Sequence, residues 1–334
     1  MSKVTIEDIS RHTGLSRGTV SRALNERPDI SEATKRRVLE ACSQLKYVPS
    51  HAARSLATGR RYAVAVVVHD LRSVFAQCFL RGVIARARAE RYAVHVSELG
   101  GEPDQALEHL RTLVNERVDS VLLASRPHGE LARAVVDIIG DRPLVATGPV
   151  DGATCDVLAP DFVEAGRLAA RHIVRGNAPN VLFVHEGTCE TIAQRRAGFE
   201  EVCRGVGLDP AQVIVELSPR GAGDGDRFGP VRARLGEVNA IAAGDDFLAL
   251  ELMLVCCRAG RTPGQDIGII GQGNEPAGAN ISPTLSTIDF CGEEIGRRAM
   301  ELSLQRVTKA RQDAAQQALI SPVLVPREST RQFQ

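Results

Sequence analysis

Residues 4–25 read VTIEDISRHTGLSRGTVSRALN, and this stretch decides the architecture of the N-terminal part of the chain. Thr5 and Asp8 have the spacing of a capping box, which predicts a first short helix. Gly14 predicts the end of that helix, because glycine adopts the left-handed geometry of a helix C-terminus without strain. After a short turn, Ser16 predicts the N-cap of a second helix. Two helices separated by such a turn are typical of a helix-turn-helix.

A third helix follows in the stretch ISEATKRRVLEACSQLKYVPSHAARSLATGR, residues 30–60. Ser31 predicts its N-cap. An apolar stripe at helical spacing predicts the face that this helix buries against the first two. The stripe consists of Val38, Leu39, Cys42 and Leu45.

The second helix carries side chains suited to reading a DNA duplex. The guanidinium groups of Arg17 and Arg22 can each donate two hydrogen bonds to a guanine in the major groove. Gly18 costs about 1 kcal/mol inside a helix. Two interpretations of Gly18 stay open, a close approach to a base and a neutral surface position. Hydroxyl groups that suit phosphate oxygens come from Ser16, Thr19 and Ser21.

The distribution of charge supports a polyanion contact at one end of the chain. Residues 1–61 contain 12 Lys and Arg against 6 Asp and Glu, a net charge of +6. The remainder has a net charge of −6, so the whole chain is formally neutral. A basic head on an acidic body favours a nucleic-acid partner for the head. A solvated charged surface is the alternative.

Length and composition limit the class of protein. The chain has 334 residues, of which 43% are hydrophobic and 25% charged, so wholesale disorder is excluded. The longest apolar run, residues 62–68, is far shorter than the ~20 residues of a membrane helix, so no membrane partner is expected. The N-terminus lacks the pattern of a secretion signal. The eight cysteines form no CxxC pair, which favours reduced thiols in a cytoplasmic protein.

From residue 62 onward, apolar runs alternate with amphipathic stretches. This alternation predicts parallel sheets covered by helices, and the length favours two Rossmann-like subdomains with a ligand cleft beyond the carboxyl ends of the strands. The predicted strands are residues 62–68, 92–97, 119–124, 143–148, 180–185, 213–217, 239–244 and 266–271. Predicted helices include residues 75–91, 103–117, 162–175, 191–205, 228–235 and 245–259.

Motifs for catalysis and cofactors are not found in the sequence. Residues 221–226, GAGDGD, resemble a dinucleotide loop but fail the GxGxxG pattern. Phosphate-loop, nucleophile-elbow and zinc-protease motifs do not occur, and the eight histidines show no metal-ligand spacing. We therefore expect no enzyme activity, no cofactor and no metal.

Together, these N-terminal stretches closely resemble the LacI/GalR family of bacterial transcription regulators. The resemblance implies a helix-turn-helix DNA-binding domain at residues 1–48, a hinge helix and linker at 49–61, and an effector-binding and dimerisation domain at 62–334. In that family the second helix enters the major groove, and a leucine of the hinge helix wedges into the minor groove. The implied DNA-binding residues are Thr5, Ser16, Arg17, Gly18, Thr19, Ser21, Arg22, Ser31, Ala53 and Leu56.

The body resembles the family's effector module more loosely, a fold related to periplasmic sugar-binding proteins. Arg195 matches an arginine that contacts sugar hydroxyls or carboxylates in the family. Gly273 and Asn274 stand where the family has two acidic residues, which favours an acidic or phosphorylated sugar over a neutral one. An Arg195 that merely pairs with a neighbouring carboxylate is the alternative. The implied effector-binding residues are Asp70, Ser73, Phe75, Arg195, Asp245, Gly273 and Asn274.

The resemblance thus implies α/β architecture, a helix-turn-helix domain followed by a periplasmic-binding-protein-like domain of two Rossmann-like subdomains. We expect a repressor that binds a pseudo-palindromic double-stranded operator as a homodimer. A sugar, sugar acid or sugar phosphate between the subdomains would control its affinity for DNA. A purine-like corepressor is the alternative effector, and a small-molecule binding protein without a DNA role is the alternative function.

Overall fold

Three short helices form the described part of the N-terminal unit. A computed structural model describes residues 4–24, 29–47, 59–100, 102–115, 118–174, 180–218 and 226–333. The chain divides into two compact units, Met1–Tyr62 and Ala63–Gln334. Within the described residues, no helix is long and apolar enough to cross a membrane. The N-terminal helices are α1 (Ile6–Thr13), α2 (Arg17–Leu24) and α3 (Glu32–Gln44).

The predicted caps of these three helices are present. Thr5 and Asp8 form the capping box of α1, and Gly14 ends that helix with a φ of 67°. The Ser31 side chain accepts a hydrogen bond from the Thr34 amide at the start of α3. These local bonds satisfy backbone groups that a short helix leaves exposed at its ends, so they define where each helix begins and stops.

The packing of this unit shows that the prediction of a buried Leu39 on α3 is wrong. Val38 is fully buried and Cys42 nearly so, whereas Leu39 is 58% exposed. One residue along a helix turns the side chain by about 100°. Leu39 therefore lies beside the buried stripe rather than on it. The core is completed by Ile9, Val20, Ala23 and Ala41.

The C-terminal unit is built from two six-stranded sheets, each covered by helices on both faces. Its strands are β1 (Ala63–Val68), β2 (Ala93–Glu98), β3 (Ser120–Ala124), β4 (Leu144–Ala146), β5 (Asp156–Pro160), β6 (Val181–Glu186), β7 (Ile214–Leu217), β8 (Ala240–Ala243), β9 (Gly268–Gln272), β10 (Ser286–Asp289), β11 (Gln317–Ile320) and β12 (Val323–Val325). Its helices are α4 (Val74–Ala89), α5 (Pro103–Asn115), α6 (Gly129–Ile139), α7 (Phe162–Ile173), α8 (Glu190–Gly205), α9 (Pro210–Val213), α10 (Gly229–Arg232), α11 (Asp246–Arg258) and α12 (Gly292–Val307).

The first sheet has the strand order β11-β5-β4-β3-β1-β2, and all its pairs are parallel. The second has the order β12-β10-β9-β8-β6-β7, in which β12 runs antiparallel to β10. The prediction of two Rossmann-like subdomains is confirmed, with this one antiparallel edge strand as a departure from purely parallel sheets. Each sheet has one apolar core on either face.

The chain passes between the two subdomains three times. It leaves the first subdomain after β5, returns after β10 to form α12, and crosses again between β11 and β12. All eight predicted strands are present, but β5, β10, β11 and β12 were not predicted. One of these, β10 (STID), has a single apolar residue, and β5 (DVLAP), β11 (QALI) and β12 (VLV) each contain an apolar run of only three residues. Three linking segments bring the carboxyl ends of parallel strands from both sheets into one unit.

Close helix packing fixes the helix that carries Arg195. An added Cβ at Gly166 of α7 would overlap the carbonyl oxygen of Arg195 on α8. An added Cβ at Gly198 of α8 would likewise overlap the carbonyl oxygen of Val163. The two glycines let the helix backbones touch, so the position of α8 relative to α7 is set by direct backbone contact.

Candidate functional sites

The first candidate site is the N-terminal end of α2. Ser16 Oγ accepts a hydrogen bond from the Thr19 amide at 3.1 Å and lies 2.9 Å from Thr19 Oγ1. The predicted cap by Ser16 is therefore present. In the free chain both hydroxyl groups support the helix start, and each keeps oxygen lone pairs or a proton for a further contact.

The two arginines predicted to read bases lie on the surface. Arg17 is 3.2 Å from a carboxylate oxygen of Glu7, and Arg22 is 3.2 Å from one of Asp29. All four side chains are more than half exposed. Exposed ion pairs contribute only about 0–1 kcal/mol, so phosphates or bases can replace these carboxylates at small cost.

Gly18 is not required by the packing of the N-terminal unit. An added Cβ there would meet nothing closer than Ser16 Oγ at 3.8 Å. The space in front of Gly18 is open, as a close approach to a duplex would need.

The remaining predicted DNA-binding residues lie on different helices or outside the described residues. Thr5 and Ser31 cap α1 and α3, and hydrogen bonds from Thr5 hold the pKa of Asp8 below its usual value. Ser21 is half-buried on α2. Ala53 and Leu56 lie outside the described residues, as does most of the predicted hinge.

The second candidate site lies at the carboxyl ends of the strands in the C-terminal unit. Asp70 follows β1, and its carboxylate accepts hydrogen bonds from Arg72, which lower its pKa. Ser73 caps α4 by accepting from the Ala76 amide at 3.4 Å. Asp245 follows β8 and caps α11. These carboxyl-end positions agree with the general location of ligands in open parallel sheets.

Phe75 contacts the cores of both subdomains. It packs against apolar clusters that contain Phe79 in the first subdomain and Phe199 in the second. Its ring centroid lies 6.3 Å from that of Phe79. Phe75 therefore forms part of the apolar contact between the subdomains, near the predicted cleft.

Gly273 and Asn274 follow β9, where the family resemblance leads one to expect acidic side chains. Gly273 has a φ of 132°, a conformation that residues with a Cβ rarely adopt. In the side chain of Asn274, Nδ2 donates to Asp289 Oδ2 and Oδ1 accepts from Arg327 Nη2, both at 2.8 Å. Both polar atoms of that side chain are thus used within the chain.

Arg195 is a buried cation surrounded by aromatic rings and carbonyl groups. Its residue exposure is only 7%. Nη1 donates to the carbonyl oxygen of Gly244 at 2.6 Å and Nε to that of Thr191 at 3.0 Å. The guanidinium carbon lies 5.6 Å from the ring centroid of Phe162 and 5.4 Å from that of Phe290. Burial lowers the pKa of Arg195 to about 10.

The structure therefore does not support the alternative that Arg195 pairs with a neighbouring carboxylate. In the part of the chain that the structure describes, Arg195 forms no ion pair. Carbonyl dipoles and ring faces replace water around it, and the carboxylate of Asp245 favours its charged form without forming an ion pair with it.

Arg126 is a functional candidate that the sequence reasoning missed. It lies two residues after β3, and its Nη1 is 3.1 Å from Glu190 Oε2 at the start of α8. Its guanidinium carbon lies 5.9 Å from the centroid of the Phe162 ring. An added Cβ at Gly148 would overlap the Arg126 side chain, so glycine leaves room for the guanidinium there. The usable signal was its position directly beyond a predicted strand.

Asp246 is a second missed residue, and it lies in the interior of the second subdomain. It is 1% exposed, with Oδ2 accepting from the Glu275 amide and Oδ1 from Thr287 Oγ1, both at 2.6 Å. Burial raises its pKa to about 6. Its two hydrogen bonds connect the start of α11 to β10 and to the loop after β9.

A pocket lies elsewhere in the first subdomain. It has a volume of about 500 Å³ and borders the start of β4, the start of β5 and the end of α12. Arg306 fills part of its wall through two hydrogen bonds of 2.7 Å to the Asp156 carboxylate. Residues 221–225 of the glycine-rich segment lie outside the described residues. Within the described ranges, no three His, Cys, Asp or Glu side chains form a metal-binding group.

Comparison with known proteins gives a match for each of the two parts of the chain. Residues 5–50 match the family model described as bacterial regulatory proteins, lacI family. Residues 159–330 match the model described as a periplasmic binding protein-like domain. The HTH-type transcriptional repressor PurR of Mannheimia succiniciproducens is 26% identical over 334 residues, covering 98% of this chain and 99% of that protein.

Two further proteins show similarity over nearly the whole chain. The ribose operon repressor of Escherichia coli (strain K12) is 25% identical over 335 residues, covering 97% of this chain and 99% of the relative. A crystal structure of the lac repressor dimer bound to operator and the anti-inducer ONPF has a TM-score of 0.76 at 21% identity, covering 98% of this chain and 99% of that one. The prediction of a DNA-binding regulator rather than an enzyme is confirmed. The chain therefore belongs to the proteins with a periplasmic binding protein-like domain, and its residues 5–50 match the bacterial regulatory proteins of the lacI family.

Proposed function

We propose that this chain represses transcription by binding a pseudo-palindromic operator as a homodimer in the cytoplasm. The observation that most supports this proposal is the surface of α2, where Arg17 and Arg22 are exposed and the space in front of Gly18 is open. Two copies related by a two-fold axis would place two such helices in successive major grooves. The dimeric, operator-bound lac repressor supports this arrangement.

We further propose that a small effector binds between the two subdomains and controls operator affinity. Its candidate contacts are the residues at the carboxyl ends of β1, β3 and β8, together with Arg195 of α8. The ribose operon repressor, a relative over nearly the full length, supports a carbohydrate-derived effector. Binding between subdomains changes operator affinity only if the effector prefers one subdomain arrangement, and a tenfold change needs about 1.4 kcal/mol of coupling.

A purine-like corepressor is the second candidate, and the aromatic pair of Phe162 and Phe290 is the observation that favours it. Flat bases stack on aromatic rings. The two rings, however, pack edge to face with centroids 5.2 Å apart, and Arg195 already lies against both. A base would have to displace Arg195 to stack there, so the geometry favours the carbohydrate class.

Operator selection from a random duplex pool tests the DNA-binding proposal. The full chain should enrich one pseudo-palindromic sequence, and sedimentation should show two chains per selected duplex. An Arg22→Ala variant should enrich that sequence much less strongly while still binding duplexes at low salt, because phosphate contacts carry non-specific affinity. Failure of the unaltered chain to enrich any sequence, with or without candidate sugars, would overturn the proposal.

A further inference from the structure

Three buried polar atoms without hydrogen-bond partners lie at the carboxyl ends of the strands. Among the described residues, these include Arg126 Nη1 after β3, His185 Nε2 at the end of β6 and Gln272 Oε1 at the end of β9. Such atoms are rare in folded proteins, because each unpaired polar group costs about 1–3 kcal/mol. Their common location at one end of the two sheets indicates a site whose polar partner comes from outside the chain.

Two guanidinium groups lie at this site, and the acidic groups near them include Glu190 beside Arg126 and Asp245, whose charge favours the cationic form of Arg195. Arg195 is buried and forms no ion pair within the described residues. The Arg126 side chain is 15% exposed, and its one ion pair among the described residues is with Glu190, at 3.1 Å but without hydrogen-bond geometry to the buried Nη1. Both guanidinium groups border the same ring, that of Phe162. Arginine binds carboxylate and phosphate groups through paired N–H donors, so a site with two guanidinium groups suits an anion.

The residues that would bind a neutral sugar are already engaged. Asn274 is held between Asp289 and Arg327, and the position before it, Gly273, has no side chain. Asp70 is held by Arg72. Among the three unsatisfied atoms, Arg126 Nη1 is a cationic donor and Gln272 Oε1 is an acceptor, so together they suit a ligand that combines an anionic group with hydroxyl groups.

We propose that the effector is an organic anion, and that its carboxylate or phosphate binds Arg126 in place of Glu190 while compensating the buried charge of Arg195. This inference rests on the proposed function, since it defines the ligand class of the same cleft. It assigns Arg126 as a specificity-determining residue. The exchange alters the link between subdomains, because Glu190 belongs to α8 of the second subdomain and Arg126 follows β3 of the first.

The test compares matched acidic and neutral probes by calorimetry on the full chain. The probes are gluconate, glucuronate, glucose 6-phosphate and inorganic phosphate, each against glucose at the same ionic strength. At least one anion should bind saturably and more tightly than glucose. The preferred member of the series distinguishes a carboxylate from a phosphate.

Variants locate the anion on Arg126. Arg126→Gln should weaken the anion about 10- to 100-fold, the loss expected for a charge-assisted hydrogen bond. Glu190→Gln should strengthen it up to about fivefold, because a competing exposed carboxylate is removed. Arg133→Gln, at an exposed position on α6, is the matched control for the loss of one positive charge and should leave affinity unchanged.

Several outcomes would overturn the inference. They are tighter binding of glucose than of every anion, no saturable anion binding below about 10 mM, and equal weakening by the Arg126 and Arg133 variants. If Arg126→Gln does not fold, an unchanged or lower anion affinity of Glu190→Gln is the deciding contrary result. Enrichment of an operator by the same protein would leave the proposed function standing in each of these cases.

Discussion

Replacing Asp246 by asparagine should stabilise the protein at neutral pH and leave its stability at acidic pH nearly unchanged. The Asp246 carboxyl is buried beneath the loop after β9 and accepts hydrogen bonds from the Glu275 amide and the Thr287 hydroxyl. Asparagine has the same shape. Its oxygen can accept from Glu275, and its NH2 group can donate to Thr287 Oγ1 if that hydroxyl rotates.

The magnitude follows from the pKa of Asp246, which burial raises from 3.8 to about 6 in the folded protein. The folded chain therefore binds this proton more tightly than the unfolded chain does. Stability from this group is greatest below pH 3.8 and falls as pH rises through the interval from 3.8 to 6. Above that interval, the buried charge costs about 3 kcal/mol. Since asparagine forms weaker hydrogen bonds than a carboxylate, we expect a net gain of about 1–2 kcal/mol.

Thermal denaturation at pH 4.5 and pH 7.5 measures this effect. At pH 7.5, Asp246→Asn should raise Tm by about 2–4 °C, and at pH 4.5 the two proteins should unfold at similar temperatures. Asp209→Asn, at the exposed N-cap of α9, controls for the loss of one carboxylate. Equal changes at both pH values, or destabilisation at pH 7.5, would refute the reasoning, because they would mean that the charged carboxylate does not destabilise the fold.

Three further predictions address DNA and effector binding. Arg22→Ala should weaken specific operator binding about tenfold or more in gel-shift titrations but leave calorimetric effector affinity unchanged, and a parallel loss of effector binding would contradict the modular organisation. Leu56→Ala should reduce specific affinity more than non-specific affinity if Leu56 wedges into the central base step, whereas equal losses would count against that role. Arg195→Ala should abolish the effector-induced shift in Tm without changing the dimer mass in sedimentation, and an unchanged ligand shift would refute its assignment.

Local sequence signals specified the N-terminal helices because short helices depend on their ends. Capping side chains act on backbone groups only a few residues away, so the patterns at Thr5, Ser16 and Ser31 suffice to place the helix starts. The buried face of α3 was predicted wrongly at Leu39. Leu39 is apolar yet exposed, because the facing helices rather than hydrophobicity alone decide which part of a stripe is buried.

Apolar strands flanked by amphipathic helices likewise identified the parallel sheets in the body. The signal failed for β5 and for the three strands late in the chain, β10, β11 and β12. In β10, the buried Ser286 and Thr287 are satisfied by hydrogen bonds to residues distant in sequence, including Thr330 and Asp246. A polar strand of this kind is stable only once its partners are in place, so its own residues do not reveal it.

The sequence alone determined that the chain has a capped helix-turn-helix with basic residues on its second helix, followed by two parallel α/β layers. Those features depend on side-chain spacing and on contacts between near neighbours. Only the tertiary structure decided which charges meet at the cleft: it places Arg126 beside Glu190 and leaves Arg195 buried without an ion pair among the described residues. Charge pairing depends on distances of a few ångströms between segments far apart in the chain, and composition and periodicity contain no such distances.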